Sequence, residues 1–383
     1  MKIYSVADYI ISPLGLGAEE NLHQLENGCT AIQQQNIPAI PEEKSVFAAT
    51  FPNNLVQPFF TSEELKSYTS LELCFILATK KILEETLLSD FSRLLLVISS
   101  TKGNIELLGE ENPHIPKKRL FMPEMAKAVS QYFDFPNSPM VVSNACISGI
   151  SGLLIGQKMI KKGHYDHALV LGGDSFSHFV YAGFQSFMAL SSSFCAPYDK
   201  NRDGINLGEA VTGILLSKDK SLCKDKNTLG ELVGGGQAND ANHISGPSRE
   251  GKGLKIAVSK AMEQAEITPE KIGYINAHGT ATPYNDEMEA IAFSSLGLEK
   301  APLNSLKGYF GHTLGAAGVL ESSLAIRQLN SGILLQNKGF EEMGVSKSIN
   351  ILEENLPKGG IEYILKTASG FGGGNAAVIF KKA

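Results

Sequence analysis

Short apolar segments alternate with longer segments of helical periodicity along most of this chain. The apolar segments are rich in β-branched residues and lack the polar–apolar alternation of a strand with one face in solvent. They predict buried strands at residues 94–99, 140–143, 168–172, 210–217, 273–276 and 376–381. Apolar positions three and four residues apart predict helices at residues 63–83, 146–162, 253–265, 286–296 and 316–330. This alternation favours an α/β fold whose sheets are covered on both faces.

The pattern also contains a weak internal duplication. In each half a glycine-bearing turn, at residues 202–209 and again at residues 370–375, precedes an apolar strand. The polar stretch 218–228 lies between the halves and is typical of a surface connection. We therefore predict an N-terminal half over residues 1–220 and a C-terminal half over residues 221–383.

Composition and charge narrow the function. The 383 residues are 43% hydrophobic and 19% charged, which is typical of a globular protein. The net charge of −6 argues against a general nucleic-acid binder. No apolar run reaches the roughly 18 residues of a membrane span, and no cluster of Cys and His has the spacing of a zinc site. Five cysteines without a CxxC pair fit a reducing compartment, so we expect a cytoplasmic protein that binds no metal.

Cys146 is the strongest candidate for chemistry. It follows an apolar run and a turn of small residues, and a helical pattern begins at it. The unpaired N–H groups and the positive dipole end of a helix N-terminus both favour a thiolate over a thiol. These features predict a nucleophile. The alternative is a small buried core residue, because free cysteines are often buried.

Two histidines lie in turns of small residues later in the chain. His278 follows a predicted strand and precedes a glycine, and we expect Asn285 or Asp286 to cap the next helix. His312 lies five residues after Lys307, among glycines that allow backbones to approach closely. One cysteine and two histidines suit thiolate chemistry combined with polarisation of a second group. The alternative for His278 is a structural histidine bonded to its own turn.

Two further features qualify this set. Glu321 lies among apolar residues on the predicted helix after His312 and is placed to turn inward toward Lys307. The glycine-rich run 370–375 lacks the Lys-Ser or Lys-Thr pair of a phosphate loop, which argues against nucleotide binding.

In their order, these motifs resemble those of the elongating β-ketoacyl-acyl-carrier-protein synthases (synthase I/II type), members of the thiolase superfamily. The match covers nearly the whole chain and consists of Asn144-Ala145-Cys146, Pro197-Tyr198-Asp199, Arg202-Asp203-Gly204, Gly208-Glu209-Ala210, His278-Gly279-Thr280-Ala281-Thr282-Pro283, Lys307, Gly311-His312, Gly315-Ala316-Ala317-Gly318 and Gly370-Phe371-Gly372-Gly373. The resemblance implies an α/β, thiolase-like fold in which two similar βαβ-containing halves form a five-layered α-β-α-β-α core. It also implies a 3-oxoacyl-acyl-carrier-protein synthase, an acyltransferase that joins an acyl thioester to malonyl-carrier by decarboxylative Claisen condensation, in fatty-acid or polyene/polyketide-like biosynthesis.

The resemblance assigns the central chemistry to four residues. Cys146 would attack an acyl thioester and hold the acyl group. The backbone N–H groups of Cys146 and Phe371 would form the oxyanion hole. His278 and His312 would donate hydrogen bonds to the malonyl thioester carbonyl and stabilise the enolate that remains after loss of CO2.

Further residues would support and surround this centre. Lys307 would pair with Glu321 and tune the site without accepting a proton. Thr280 and Thr282 would contact the phosphopantetheine arm of the acyl carrier protein, so that the enzyme needs no cofactor of its own. Phe371 would gate the acyl pocket.

The gate and the pocket wall contain the remaining candidates. Gly372 would bind substrate beside the gate, and Asp240 and Asn375 would lie in two loops that move with it. Lys102 and Asn104 stand where the family has small or apolar residues. An unpaired buried ammonium is costly in free energy. Lys102 would therefore turn away from the pocket, pair with an acid such as Glu106 or one from a partner subunit, or shorten the pocket. These departures make a long saturated acyl chain doubtful and suggest a specialised paralogue.

Partners follow from the same resemblance. The acyl carrier protein is acidic and needs a basic rim, for which the candidates are Lys66, Lys80, Lys81, Lys117, Lys118, Arg119 and Arg202. We expect a homodimer that pairs through a strand near residues 140–143. A heterodimer with a synthase-like homologue is the alternative.

Two other functions remain open: a non-catalytic subunit like a chain-length factor, and an acyl-CoA thiolase. Cys146 opposes the first, and the lack of any cysteine after Cys223 opposes the second.

Overall fold

The computed structural model describes residues 1–36, 45–109, 114–224, 228–240 and 248–382. The strands are β1 (Tyr4–Ser12), β2 (Gly15–Leu16), β3 (Gln33–Gln35), β4 (Val46–Ala49), β5 (Leu94–Ser99), β6 (Met140–Val142), β7 (His167–Asp174), β8 (Leu207–Gly208), β9 (Ala210–Ser217), β10 (Gly230–Asn239), β11 (Ile272–Asn276), β12 (Leu303–Asn304), β13 (Ile333–Leu334), β14 (Leu356–Pro357), β15 (Tyr363–Gly370) and β16 (Gly374–Lys381). The α-helices are α1 (Ala18–Glu26), α2 (Ser62–Ser67), α3 (Ser70–Glu84), α4 (Met122–Tyr132), α5 (Ser148–Lys161), α6 (His178–Ser186), α7 (Lys252–Ala265), α8 (Pro283–Ser295), α9 (Lys307–Phe310) and α10 (Ala317–Ser331). Of the predicted connection 218–228, residues 225–227 lie outside the described residues.

The main sheet contains one five-strand pattern twice. The strand order is β1-β9-β7-β5-β6 in the first half and β10-β16-β15-β11-β12 in the second. In each half the first two pairings are antiparallel and the last two are parallel. The two halves join where β1 pairs with β10, with Tyr4 opposite Glu231. The predicted duplication is therefore a feature of the fold, whereas the boundary between residues 220 and 221 stays a prediction.

Helices cover both faces of each half-sheet, as the lack of polar alternation in the strands predicted. On β7, Val170 packs with α5 and α10, while its neighbour Leu171 packs with α3 and α4. On β16, Val378 faces the same central helices and Ile379 packs with α7 and α8. The layers therefore run α3/α4, first half-sheet, α5/α10, second half-sheet, α7/α8. No helix within the described ranges is both long and apolar enough to cross a membrane.

The two central helices touch near their N-terminal ends. A Cβ added to Gly149 would lie 2.7 Å from the backbone nitrogen of Val319, and one added to Gly318 would lie 2.4 Å from a backbone nitrogen of α5. No side chain larger than hydrogen fits at this crossing. The contact brings the turn before α5, which holds Cys146, beside the loop before α10, which holds His312.

Replacement of Gly318 by alanine is expected to destabilise the fold by about 2 kcal/mol or more, because overpacking forces the two backbones apart. Gly359→Ala is the matched control, since a Cβ there meets nothing within 4 Å. Urea and thermal unfolding of both variants check the prediction. Equal midpoints for the two variants would show that the crossing tolerates a methyl group.

Two helices predicted in the N-terminal half differ from those in the structure. The helix predicted over residues 63–83 is divided into α2 and α3, each begun by its own capping box at Thr61 and Thr69. The helix predicted to begin at Cys146 begins at Ser148. Local capping by threonine therefore overrides the continuous apolar periodicity at the first of these sites.

Candidate active site

Cys146, His278 and His312 converge although they come from three distant parts of the chain. The Sγ of Cys146 and one ring nitrogen of each histidine lie within 4.8 Å of one another. The three side chains are 6%, 2% and 1% exposed, respectively. The two imidazole rings meet edge to face, with centroids 5.3 Å apart. All three residues line a cavity of about 410 Å³, the outer cavity, which Thr280 and Thr282 also line.

A tight turn places Cys146 at the head of the cavity. Ala145 has a φ of +45°, a backbone conformation that non-glycine residues rarely adopt. Ser148 holds the turn closed: its hydroxyl accepts from the N–H of Asn144 at 2.8 Å and donates to the carbonyl of Ala145 at 2.6 Å. Such local strain is common at functional sites, where the surrounding structure holds it.

The electrostatic surroundings of Cys146 act in opposite directions. Burial raises the pKa of the thiol, while the Lys307 charge and the backbone N–H groups of Phe371 and Cys146 lower it. Burial is the larger effect, so the prediction that the local field favours a thiolate was wrong in its net direction. Both N–H groups lie close to the sulfur. An oxyanion hole needs donors that point to the developing oxyanion, and this role of the two groups stays a prediction.

Carboxylates from α8 fix the turn that presents His278. The N–H groups of His278 and Gly279 donate to the two carboxylate oxygens of Glu289 at 2.8 and 2.7 Å. The N–H of Thr280 donates to Asp286 at 2.9 Å. The spacing of these two acids, three residues apart on one helix, was a signal in the sequence that we did not use.

The predicted cap of α8 was wrong. The helix begins at Pro283, after Thr282, and no side chain caps it. Asp286 bonds the preceding loop instead of its own helix, and burial raises its pKa to about 7. The adjacent Asn285 donates to Asp286 and Glu289. The acids therefore serve the histidine turn.

The hydrogen bonds of His312 fix its tautomer. Its Nδ1 accepts from the N–H of Leu314 at 3.2 Å, so the ring proton lies on Nε2 when the imidazole is neutral. Among the described residues, no group accepts a hydrogen bond from this Nε2. It is therefore available to a ligand in the cavity.

Two buried lysines flank the histidine turn. Lys307 donates to Glu321 at 2.9 Å and to the carbonyl oxygen of His278 at 2.7 Å. Lys366 pairs with the other oxygen of Glu321 and donates to the carbonyl oxygen of Ala277 at 3.1 Å. The sequence pointed to Lys307 and Glu321 but not to Lys366, whose only signal was a charge within an otherwise buried strand.

Burial and nearby positive charge keep both histidines neutral. Burial is the main cause that holds the pKa of each imidazole well below its ordinary value. The charges of Lys307 and Lys366 act in the same direction. A neutral imidazole keeps one N–H donor and one acceptor nitrogen, so each ring has a proton to aim at developing negative charge.

A second, smaller cavity opens beyond Cys146. This inner cavity has a volume of about 150 Å³. Cys146, Phe184, Phe187 and Phe371 line both cavities, so the two spaces meet at the nucleophile and Phe371. Lys102 lies on the inner wall, where its Nζ donates to the Thr101 carbonyl at 3.3 Å. It pairs with no acid among the described residues.

Several residues expected at the pocket or rim have structural roles instead. Asn104 does not line the inner cavity but donates to Glu72 at 2.8 Å. Arg119, a candidate for the basic rim, makes a charged pair with the same buried Glu72. Arg202 has a side chain only 7% exposed and lies 3.6 Å from Asp286. These two arginines are therefore poorly placed to contact a carrier protein.

Phe371 separates the cavities at the loop 370–375, the gate loop. Its side chain is 36% exposed and packs against Phe184 and Phe187, with ring centroids 5.7 and 5.2 Å apart. Gly372 has a φ of +85°, which favours glycine. Its carbonyl accepts from Asn239, and it does not line the described part of either cavity.

The two loops expected to move together are bonded to each other. Asn375 donates to Asp240 at 3.0 Å, and the N–H of Asp240 donates to the carbonyl of Gly373 at 2.9 Å. Asp240 also accepts from the N–H of Gly253 at 2.6 Å. Residues 241–247 lie outside the described residues. A displacement of the gate loop must therefore either break these hydrogen bonds or move the Asp240 loop with it. The motion itself stays a prediction.

The convergence of one thiol and two imidazoles also has the dimensions of a metal site. The buried ammonium groups of Lys307 and Lys366 lie beside it, and their charge would repel a divalent cation. The absence of a metal stays a prediction.

Comparison with known protein families identifies the family of this chain. The family model described as the N-terminal domain of β-ketoacyl synthase matches residues 99–221, and the C-terminal domain model matches residues 229–341. The chain belongs to the β-ketoacyl synthase family. The first match contains Cys146, and the second contains His278, Lys307, His312 and Glu321.

Curated relatives of this chain agree with that assignment. A putative mitochondrial 3-oxoacyl-acyl-carrier-protein synthase from Schizosaccharomyces pombe is 31% identical over 275 residues, which are 66% of this chain and 64% of the relative. 3-Oxoacyl-acyl-carrier-protein synthase 2 from Vibrio harveyi is 32% identical over 256 residues, 63% of this chain and 61% of the relative. The matches thus span less than two thirds of these relatives' own length.

Solved structures of similar fold cover the whole chain. A β-ketoacyl synthase from Burkholderia phymatum has a TM-score of 0.90 at 23% identity, over 100% of this chain and 99% of that chain. A ketosynthase from Xenorhabdus doucetiae, in complex with its chain length factor, has a TM-score of 0.88 at 24% identity, over 100% of this chain and 98% of that chain. These likenesses confirm the predicted thiolase-like fold.

Proposed function

We propose that this protein is a 3-oxoacyl-acyl-carrier-protein synthase that joins an acyl thioester to a malonyl thioester with loss of CO2. One observation carries the proposal: buried Cys146, His278 and His312 lie within 4.8 Å of one another where the two cavities meet. The outer cavity reaches the surface beside Tyr284, which is 80% exposed. It suits a thioester arm, and the inner cavity suits the acyl group.

The first half-reaction transfers the acyl group to Cys146. The thiol loses its proton, its sulfur attacks the thioester carbonyl, and the arm leaves as a thiol that takes up a proton. Negative charge develops on the carbonyl oxygen, and the N–H groups of Cys146 and Phe371 are placed to stabilise it. Collapse of this tetrahedral intermediate leaves an acyl-Cys146 thioester whose chain extends into the inner cavity.

The second half-reaction uses the histidine pair. The bond between the malonyl Cα and its carboxylate breaks, CO2 leaves, and the electron pair passes into the thioester as an enolate. His278 and His312 donate hydrogen bonds to the enolate oxygen. The enolate carbon then attacks the acyl-Cys146 carbonyl, a new carbon–carbon bond forms, and the Cys146 thiolate leaves. The product is a 3-oxoacyl thioester on the carrier.

Decarboxylation is expected to be insensitive to mild acid. Because the pKa of each histidine is held well below its ordinary value of about 6.5, both imidazoles stay neutral as the pH falls through that value. Release of CO2 from malonyl-carrier should change by less than about twofold between roughly pH 7.5 and pH 6. Thermal unfolding across the same range is the control. A severalfold fall centred near pH 6.5 would show that an ordinary imidazole is being protonated.

The acyl group that fits best is proposed to be short. A cavity of about 150 Å³ holds one benzene-sized group, and the inner cavity has that volume. Lys102 on its wall adds bulk and charge where a saturated chain would need apolar contact. This favours a specialised paralogue, in polyene or polyketide-like biosynthesis, over long-chain fatty-acid synthesis.

Partners and location complete the proposal. The substrate would arrive on an acyl carrier protein, in the cytoplasm. We propose a homodimer, because β6 lies at the edge of the main sheet and Phe179 and Phe187, which line the inner cavity, are 55% and 54% exposed. A chain-length-factor partner is the alternative, since the Xenorhabdus ketosynthase has one. Light scattering of the purified protein, alone and with candidate partners, separates the two.

Labelled CO2 tests the proposed reaction against its two rivals. The enzyme is first loaded with a short acyl group and then given malonyl-carrier labelled at the free carboxyl carbon. Release of label in step with loss of the acyl-enzyme supports a condensing enzyme. A thiolase would instead react with two acyl-CoA molecules and release no CO2. A non-catalytic chain-length-factor-like subunit would neither load nor decarboxylate, and either result would overturn the proposal.

A further inference from the structure

Lys366 carries a charge where a buried strand is expected to be apolar. It lies in β15, and its side chain is 0% exposed. It is not among the described residues that line the two cavities, so it does not reach a substrate. Burial of an ammonium group is strongly unfavourable unless fixed partners surround it. The partners that hold it therefore indicate what it does.

Lys366 and Lys307 form a two-lysine clamp on one carboxylate and on two successive carbonyls. Lys366 pairs with one oxygen of Glu321 and donates to the carbonyl of Ala277 at 3.1 Å. Lys307 donates to the other oxygen of Glu321 at 2.9 Å and to the carbonyl of His278 at 2.7 Å. The clamp thus binds the carbonyl oxygens of His278 and of the residue before it.

A second buried carboxylate holds the N–H groups of the same turn. Glu289 accepts from the N–H groups of His278 and Gly279, and Thr367, the neighbour of Lys366 on β15, donates to it at 3.2 Å. The charged groups that act on Lys366 are Glu321, Lys307 and Glu289. Two ammonium groups therefore balance two carboxylates around one imidazole.

We propose that Lys366 is a positioning residue for decarboxylation, which together with Lys307 clamps Glu321 and the backbone at Ala277 and His278 and so keeps the His278 imidazole aimed at the extender carbonyl. The inference rests on the proposed condensation. The charge of Lys366 also favours neutral imidazoles, because it acts with burial and Lys307 to hold the pKa of both histidines low. Loss of Lys366 would leave the two carboxylates facing Lys307 alone, which would favour protonated imidazoles.

The test separates the two half-reactions in Lys366→Met, which keeps the length of the side chain and removes its charge. Loading of Cys146 should stay within about twofold of the wild type, because the groups proposed to act in loading are those of Cys146 and Phe371, and Lys366 contacts neither of them but Glu321 and Ala277. Release of CO2 from malonyl-carrier should fall by about tenfold or more in kcat, since a small misplacement of a reacting group costs that much. In the pH profile of CO2 release, the loss of rate on the acid side (the acid limb) should move toward the ordinary histidine pKa of about 6.5. KM for malonyl-carrier should hardly change.

Controls keep the outcome decisive. Lys381→Met removes a lysine of the neighbouring strand that pairs with exposed Glu362, and it should alter neither half-reaction. If Lys366→Met is insoluble, Lys366→Gln retains a donor without the charge and should show the same shift of the acid limb with a smaller loss of rate. Parallel loss of loading and decarboxylation, with an unmoved acid limb, would mean that Lys366 only supports the fold and would overturn the inference. If the wild type loads but never decarboxylates, the proposed function itself fails, whatever the variant does.

Discussion

Replacement of Cys146 by alanine is expected to abolish both loading and condensation, with a loss of turnover of about a thousandfold or more. Among the described residues that line the two cavities, Cys146 supplies the one thiol. Without its sulfur no covalent acyl intermediate can form, and the N–H groups of Cys146 and Phe371, proposed to stabilise the tetrahedral centre, have nothing to act on. Intact mass of the protein after incubation with a short acyl-carrier thioester measures the loading directly.

Cys74→Ala is the matched control for this variant. Cys74 is also buried, but it lies on α3 in the outer core layer and lines neither cavity in the described residues. Burial and the charges of Glu209 and Glu106 all raise its pKa, whereas at Cys146 Lys307 and backbone N–H groups partly offset burial. The control should load at the wild-type rate. An acyl adduct that persists on Cys146→Ala and disappears on another cysteine variant would place the nucleophile elsewhere.

Glu321→Gln is expected to cost about 3–5 kcal/mol of stability, as does removal of one partner from a buried charged pair. The change leaves the ammonium groups of Lys307 and Lys366, both 0% exposed, without their shared carboxylate. An amide cannot neutralise two positive charges. Denaturant unfolding followed by fluorescence or circular dichroism should show a clearly lower midpoint.

Glu362→Gln provides the comparison, because it removes a carboxylate that pairs with one lysine at the surface. The pair with Lys381 spans 3.2 Å and is about half exposed. Exposed pairs contribute at most about 1 kcal/mol, so its midpoint should hardly move. If Glu321→Gln and Glu362→Gln unfold together, the buried carboxylate does not hold the two lysines as described.

The duplicated sheet explains how one site collects residues from distant segments. Cys146 follows β6 in the first half, and Lys307 follows β12, the strand at the same place in the second half. His278 follows β11, the parallel neighbour of β12. Carboxyl ends of parallel strands are common places for ligand sites in α/β sheets. The crossing of the two central helices then closes the distance between the halves.

Much of this arrangement was predictable because its signals are local. Apolar strands without alternation gave the covered sheets, and turns of small residues around Cys146, His278 and His312 marked the places where chemistry was expected. Gly318 is an example of why that works: a residue without a side chain is required where two backbones touch. Lys307 and Glu321 were expected to meet, and the structure places them 2.9 Å apart.

The remainder depends on tertiary packing that a sequence does not display. The net pKa shift of Cys146 follows from its burial, which outweighs the Lys307 charge and the nearby backbone N–H groups. The role of Lys366 can be inferred only from the structure, which places β15 beside Glu321. Asn104 was assigned to the pocket by its position along the chain, yet its side chain bonds Glu72 on α3. The last two depend on partners that are distant in sequence.

The most direct test of the central claim is the intact mass of the carrier protein after reaction with loaded enzyme and malonyl-carrier. Decarboxylative condensation predicts a product longer than the acyl group by one two-carbon 3-oxo unit, formed by the wild type and not by Cys146→Ala. The same acyl group, unextended, on every carrier and with every extender, while Cys146 is visibly loaded, would contradict the account. The site would then transfer acyl groups without forming a carbon–carbon bond.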